Sequence, residues 1–244
     1  MKRIYYYIKS MRLLHMLNFV SFIFGYFLNK GDNILLLIAT LFCFGPLLYG
    51  GIYIINDLFD IKEDKKDPIK RNRPIAKGII SFSSALITAI LMIIIAIILL
   101  LIINPYLAIM ALVLLLIAVI YSWILKKINY IEFIGNGLSH PLKFYSGILL
   151  AGSIKEPITC ALIAAAIFLL AVIGSIAKRM NKVYRKNKAY LSRYKIKYLR
   201  YLSIAFTVLL FIAAFFTENY FVKITFLIFC IIGLIEIVFY RYII

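Results

Sequence analysis

The sequence predicts an all-α, polytopic membrane protein with about eight transmembrane helices in one domain spanning residues 1–244. Three observations carry that prediction. Of the 244 residues, 64% are hydrophobic and 16% charged, against roughly half and a quarter in soluble domains. Mean hydropathy is +0.99, far too apolar for a disordered chain. The charges also cluster between long uncharged stretches, and only helices or closed barrels satisfy the backbone within lipid. Runs such as 93–103 do not alternate as barrel strands do.

The spans follow in order. Residues 13–29 and 33–56 are free of charge. Residues 78–125 form an uncharged stretch of 48, long enough for two spans, and Asn104-Pro105 marks the turn between them. Residues 133–154 carry a single charge, Lys143, and 157–177 and 201–217 carry none. The last stretch, 221–240, holds Lys223 near its start and Glu236 near its end. Cys43, Cys160 and Cys230 all fall within spans without metal-ligand spacing, and read as small core hydrophobes. The first apolar segment has no small-residue cleavage pattern, so no cleavable signal peptide is expected.

The formal charge of +18 would point to nucleic acid in a soluble protein. Here the loops explain it. Of the 28 basic residues, 24 fall in the N-terminal segment, the loops 57–77, 126–132 and 178–200, and the C-terminal end. Lys30, Lys155 and Lys223 lie on the other side. The positive-inside rule then places both termini and the large loops in the cytoplasm of a multi-pass integral protein of the cell membrane, with no nucleic-acid partner.

The acids are the chemical signal. Of ten, five fall within residues 57–67. On a helix Asp57, Asp60 and Asp64 lie within about 60° of one another, where the second span reaches the cytoplasm. Carboxylates that close repel unless a cation or protons neutralise them. Mg²⁺ is the natural counter-ion, because it prefers hard oxygens and bridges a few carboxylates to substrate phosphates. The Asn56 amide could add a neutral oxygen. Lys70, Arg71 and Arg73 follow at once, and their cations suit phosphate oxygens, so the region reads as a Mg²⁺–diphosphate site. The competing readings are a solvated mixed-charge loop for the acids and topological anchoring for the bases.

These residues resemble the first motif of the UbiA-type prenyltransferase superfamily, N-D-x-x-D-x-x-x-D, matched by Asn56, Asp57, Asp60 and Asp64. Arg73-Pro74-Ile75 and Gly78 match the segment that follows, and Tyr121-Ser122 with Leu125-Lys126 resembles the family's Y-S-x-x-L-K. Further on, Glu132, Lys143 and Gly147 keep the family's spacing of Asp, Arg and Gly with same-sign replacements. The likeness runs from about Met11 to Tyr194. It implies a UbiA-like bundle, a transferase that breaks a C–O bond to a diphosphate, and Mg²⁺ held by Asp57, Asp60 and Asp64. In that chemistry Arg73, Lys178 and Arg179 would hold phosphate.

Two departures narrow the reading. The family has nine spans where eight are counted here. Its prenyltransferases also carry a second aspartate-rich motif after the sixth span, whereas residues 178–200 hold ten bases and no acid. That stretch, with Lys178-Arg179, Lys188 and Leu191-x-x-Tyr194, is similar in part to the polyprenyl-phosphate phosphoribosyltransferase branch, as is 70–76, while Ala177 replaces the branch's glycine and Lys182 stands where it has an acid. The resemblance therefore implies transfer between a diphosphate substrate and a polyprenyl lipid. The alternatives are prenyl transfer to a quinone, haem or glycerol-lipid acceptor, or a non-catalytic protein of the same fold.

Lys143 sits near mid-span, where a bare ammonium costs about 2.5–3.5 kcal/mol. It reads either as a contact to substrate phosphate or as half of an interhelical pair. His140 and Glu236 read as structural residues.

Overall fold

The computed structural model describes residues 2–13, 18–184 and 196–239. The described residues are helical, without strands. The helices are α1 (Lys2–Met11), α2 (Val20–Leu28), α3 (Ile34–Phe42), α4 (Gly50–Phe59), α5 (Ile61–Asp64), α6 (Phe82–Ile103), α7 (Pro105–Trp123), α8 (Ile131–Ala151), α9 (Pro157–Tyr184), α10 (Ile196–Phe216) and α11 (Tyr220–Val238). The chain divides into two compact units, Met1–Ile124 with Ser146–Ser153, and Leu125–Tyr145 with Ile154–Ile244.

In the first unit, α3 and α4 are joined by a wide π-helical segment, Cys43–Tyr49, that contains Pro46. Proline removes one backbone donor, and the wider turn takes up the break without ending the helix. The whole run Ile34–Phe59 is a 26-residue candidate membrane span. It packs on α6 through Gly51, where a Cβ would lie 2.9 Å from the Ala89 carbonyl oxygen. Only glycine allows the two backbones so close. The α6 helix buries Ala85, Ala89, Ile93, Ala96 and Leu100 on one stripe and exposes Ile87, Leu91, Ile94 and Ile98 elsewhere. Small residues inward and large ones outward is the pattern of a helix whose outer face meets lipid. At its end Asn104 caps α7, its Oδ1 accepting the Tyr106 N–H at 2.9 Å, so the predicted turn forms there.

In the second unit, α9, α10 and α11 pack against one another, and the first part of α8 packs on α9. The core there is Phe133, Val172, Ile176, Ala177, Met180 and Leu199.

The eight-span expectation is met only in part. Six helical runs among the described residues are long and apolar enough to cross a membrane: Ile34–Phe59, Phe82–Ile103, Pro105–Trp123, Pro157–Asn181, Ile196–Phe215 and Tyr220–Val238. The predicted first span yields α2, only nine residues long, or about 14 Å against a hydrocarbon core of about 30 Å. The predicted span 133–154 does form a 21-residue helix, α8, but Glu132, His140, Pro141 and Lys143 leave it less apolar than the six.

Candidate active site

In the first unit, Asp57 lies in the last turn of α4, and the chain breaks helix at Asp60 before resuming as α5, which ends at Asp64. The Asp60 N–H still bonds the Asn56 carbonyl at 3.1 Å, and the Asp64 N–H bonds the Asp60 carbonyl at 2.8 Å. Helical spacing is therefore nearly kept across the break. Asp57 and Asp64 are 3% and 1% exposed, while Asp60 is half-buried.

The loop then returns over them. Asp67 Oδ1 accepts the N–H groups of Ile69 and Lys70 at 2.9 and 3.0 Å, which shapes the turn Lys70–Asn72. Ile75 and Ile80 sink into the apolar cluster of Ile54, Leu58, Ala85 and Ala89. Pinned at both sides, Arg73 reaches back so that its Nη1 lies 3.1 Å from Asp57 Oδ1 and 2.6 Å from Asp64 Oδ2. Lys70 Nζ is 3.5 Å from Asp64 Oδ1. Arg12, just past α1, places its Nη2 on the same Asp57 oxygen that Arg73 uses. Its guanidinium also lies 5.5 Å from the centre of the Tyr53 ring, within cation–π range. Two buried carboxylates thus meet three cations, the compensation that burial of like charges demands.

From Tyr53 a series of rings leads into the unit: Tyr49 at 6.1 Å, Phe19 at 5.3 Å from Tyr49, then Phe22 and Phe44, 5.6 Å from each other. The Ser122 hydroxyl on α7 donates to Asn56 Oδ1, joining the Tyr121-Ser122 block to the first motif.

A divalent cation suits this arrangement in part. The oxygens are hard donors, and one arginine nitrogen already bridges the two carboxylates as a metal would. The three-aspartate trio does not assemble: among the described residues, no three His, Cys, Asp or Glu side chains gather closely enough to hold a metal. Asp57 and Asp64 therefore fit Mg²⁺ as two ligands completed by water and phosphate, which is how that ion is usually held.

Three of the expected residues lie in the second unit. Lys143 is 2% exposed on α8. Arg179 on α9 is forked onto Glu132 of α8, Nε to Oε1 at 2.7 Å and Nη2 to Oε2. Lys178 beside it is exposed. One turn earlier Asn136 Nδ2 donates to Ser175 Oγ at 2.6 Å. Lys188, Leu191 and Tyr194 lie outside the described residues. Arg12 and Ser122 were not among the candidates. Arg12 is 45 residues from Asp57 and counted only as a topological charge, and no spacing rule connects Ser122 with Asn56.

The UbiA prenyltransferase family model matches residues 18–244. The uncharacterized protein y4nM of Sinorhizobium fredii is 30% identical over 118 residues, covering 47% of this chain and 23% of that protein. Decaprenyl-phosphate phosphoribosyltransferase of Mycobacterium tuberculosis is 27% identical over 95 residues, covering 39% and 32%. The matches thus span under a third of the length of these relatives. Among solved structures, a UbiA homologue from Archaeoglobus fulgidus bound to GPP and Mg²⁺ has a TM-score of 0.75 at 21% identity, covering 96% of this chain and 86% of that one. A digeranylgeranylglyceryl phosphate synthase superposes over the full length of both chains with a TM-score of 0.69 at 21% identity. These likenesses establish a shared fold, and the family match over 18–244 establishes membership: the chain belongs to the UbiA prenyltransferase family.

Proposed function

We propose that the protein is a Mg²⁺-dependent transferase of the cell membrane that joins a polyprenyl lipid to a group carried by a diphosphate. The preferred reaction is attack of a polyprenyl-phosphate oxygen on the ribose carbon of phosphoribosyl diphosphate, with diphosphate leaving. The observation that carries the reading is the buried Asp57–Asp64 pair bridged by Arg73 and flanked by Lys70 and Arg12. Asp57 and Asp64 would hold Mg²⁺, with Asp60 beside them and Asn56 kept in place by Ser122. A bound Mg²⁺ supplies positive charge to the leaving diphosphate. Arg73 and Lys70 supply fixed cations to the same oxygens. The ring series from Tyr53 to Phe44 keeps water away from a reacting carbon that gains cationic character. The acid-free stretch 178–200 favours two anionic substrates, as does the likeness to the mycobacterial phosphoribosyltransferase. Lys143 and Lys178 are the cations proposed for the lipid phosphate. The concentration of bases in the loops and at both ends supports termini in the cytoplasm.

A second reading, prenyl transfer from a prenyl diphosphate to a quinone, haem or glycerol-lipid acceptor, is favoured by the structural neighbours bound to GPP or DMAPP with Mg²⁺. One assay separates the two. Membranes containing the protein and Mg²⁺ receive either labelled phosphoribosyl diphosphate with polyprenyl phosphate, or labelled prenyl diphosphate with acceptors. Label entering lipid only from the first pair supports the preferred reaction; label only from the second replaces it.

A further inference from the structure

Arg12 stands apart from the other two cations of the first unit. Arg73 bridges Asp57 and Asp64, and Lys70 reaches Asp64, both from the loop that follows the acids. Arg12 comes from the N-terminal segment and meets Asp57 on the oxygen that Arg73 also uses. Its backbone is fixed by the helix before it. Tyr7 Oη lies 2.5 Å from Ser84 Oγ of α6, and Met11 lies against α4, where a Cβ on Gly50 would be 3.3 Å from the Met11 methyl. Tyr6, Tyr7 and Met11 pack on the apolar cluster that includes Ile54 and Leu58. The chain then leaves α1 at Arg12 with φ of 51°, the left-handed region that favours glycine. A larger residue there carries strain. The contacts that offset it are the Asp57 carboxylate and the Tyr53 ring, whose centre is 5.5 Å from the guanidinium carbon.

Asp57, Asp60 and Asp64 bring three negative charges, and Arg12, Lys70 and Arg73 bring three positive ones. The chain thus neutralises its own acids. A divalent ion beside Asp57 adds charge to a balanced cluster and repels a guanidinium that shares its oxygen. Arg73 is held on two acids by a loop pinned through Asp67 and Ile75, and Lys70 sits on Asp64. Arg12 has a second resting place, the face of Tyr53, where a cation is attracted without a carboxylate. We propose that Arg12 is a positioning residue that regulates metal entry: in the resting protein its guanidinium holds the Asp57 carboxylate, and it withdraws onto the Tyr53 ring when a divalent cation takes that oxygen. This role rests on the Mg²⁺ assignment above and deepens it. Metal binding then works against the loss of the Arg12–Asp57 pair, so the affinity for metal is lower than the two carboxylates alone would give.

The test uses the full chain in phosphatidylcholine nanodiscs with Mn²⁺ as the probe, its binding read from the loss of the free-ion electron paramagnetic resonance signal. Arg12→Gln and Arg12→Gly are expected to bind Mn²⁺ about tenfold more tightly than the wild type, the low end of what a charged hydrogen bond contributes. Glycine suits the backbone at this position, so the second variant carries the test if the first assembles poorly. Arg12→Lys, which keeps the charge, should stay near the wild type. In an Asp57→Asn background Arg12→Gly should add nothing. Unchanged or weaker Mn²⁺ binding in the Arg12→Gln and Arg12→Gly variants overturns the proposal, as does tightening that persists with Asp57→Asn. The metal assignment is read separately. Mn²⁺ binding that survives Asp57→Asn with Asp64→Asn overturns both readings, whereas binding lost in that variant and not tightened by Arg12→Gly overturns the Arg12 role alone.

Discussion

Among the described residues, the ionic centres at Asp57–Asp64 and at Glu132 are built on opposite plans. In the first unit two carboxylates share three cations, and one oxygen of Asp57 serves both Arg12 and Arg73. In the second, one carboxylate and one guanidinium match edge to edge, Glu132 with Arg179. A matched fork engages both carboxylate oxygens with two guanidinium nitrogens in one fixed geometry, so it holds helices together. A crowded centre with shared oxygens can exchange one cation for another at small cost, because no single geometry is optimal. The contrast sets the chemistry proposed for Asp57 and Asp64 against a helix-to-helix tie between Glu132 and Arg179.

The largest expected effect tests the first half of that contrast. Asp57→Asn with Asp64→Asn should lower transfer by about a hundredfold or more while the protein still assembles in membranes, since the charge that would hold Mg²⁺ is gone. Full activity in that variant removes the metal assignment. Next comes the fork. Glu132→Gln leaves a buried guanidinium without its partner and should cost about 3 kcal/mol of stability, read by thermal melting in detergent. Loss of activity with unchanged melting would move Glu132 to the chemical side. The smallest effect sharpens the role of Asn56. Ser122→Ala removes one hydroxyl contact and should cost about 1 kcal/mol, seen as a severalfold loss of activity that Ser122→Thr partly restores.

Much of this was legible in the linear chain, for reasons that differ by residue. Asn104-Pro105 marks a turn because proline cannot continue the preceding helix and asparagine can cap the next one. The α6 span was plain because 22 apolar residues have no other place to go. The short first helix was less plain, since a charge-free stretch of 17 residues does not reveal that only nine of its residues form α2. The acid spacing pointed to one face of a continuous helix, whereas the chain leaves helical geometry at Asp60 between α4 and α5. Arg12 and Ser122 entered the site through contacts 45 and 66 residues distant, which no local pattern encodes.

Composition and periodicity by themselves determined the membrane class, the helical architecture and the place along the chain where carboxylates and cations gather. Those properties follow from local forces: transfer of apolar side chains from water and backbone hydrogen bonding in lipid. Tertiary structure alone decided which cation meets which acid: that Arg73 joins Asp57 to Asp64, that Arg12 reaches Asp57, and that Arg179 closes on Glu132. Charges act over a few ångströms, and that distance is set by how helices far apart in sequence come to pack.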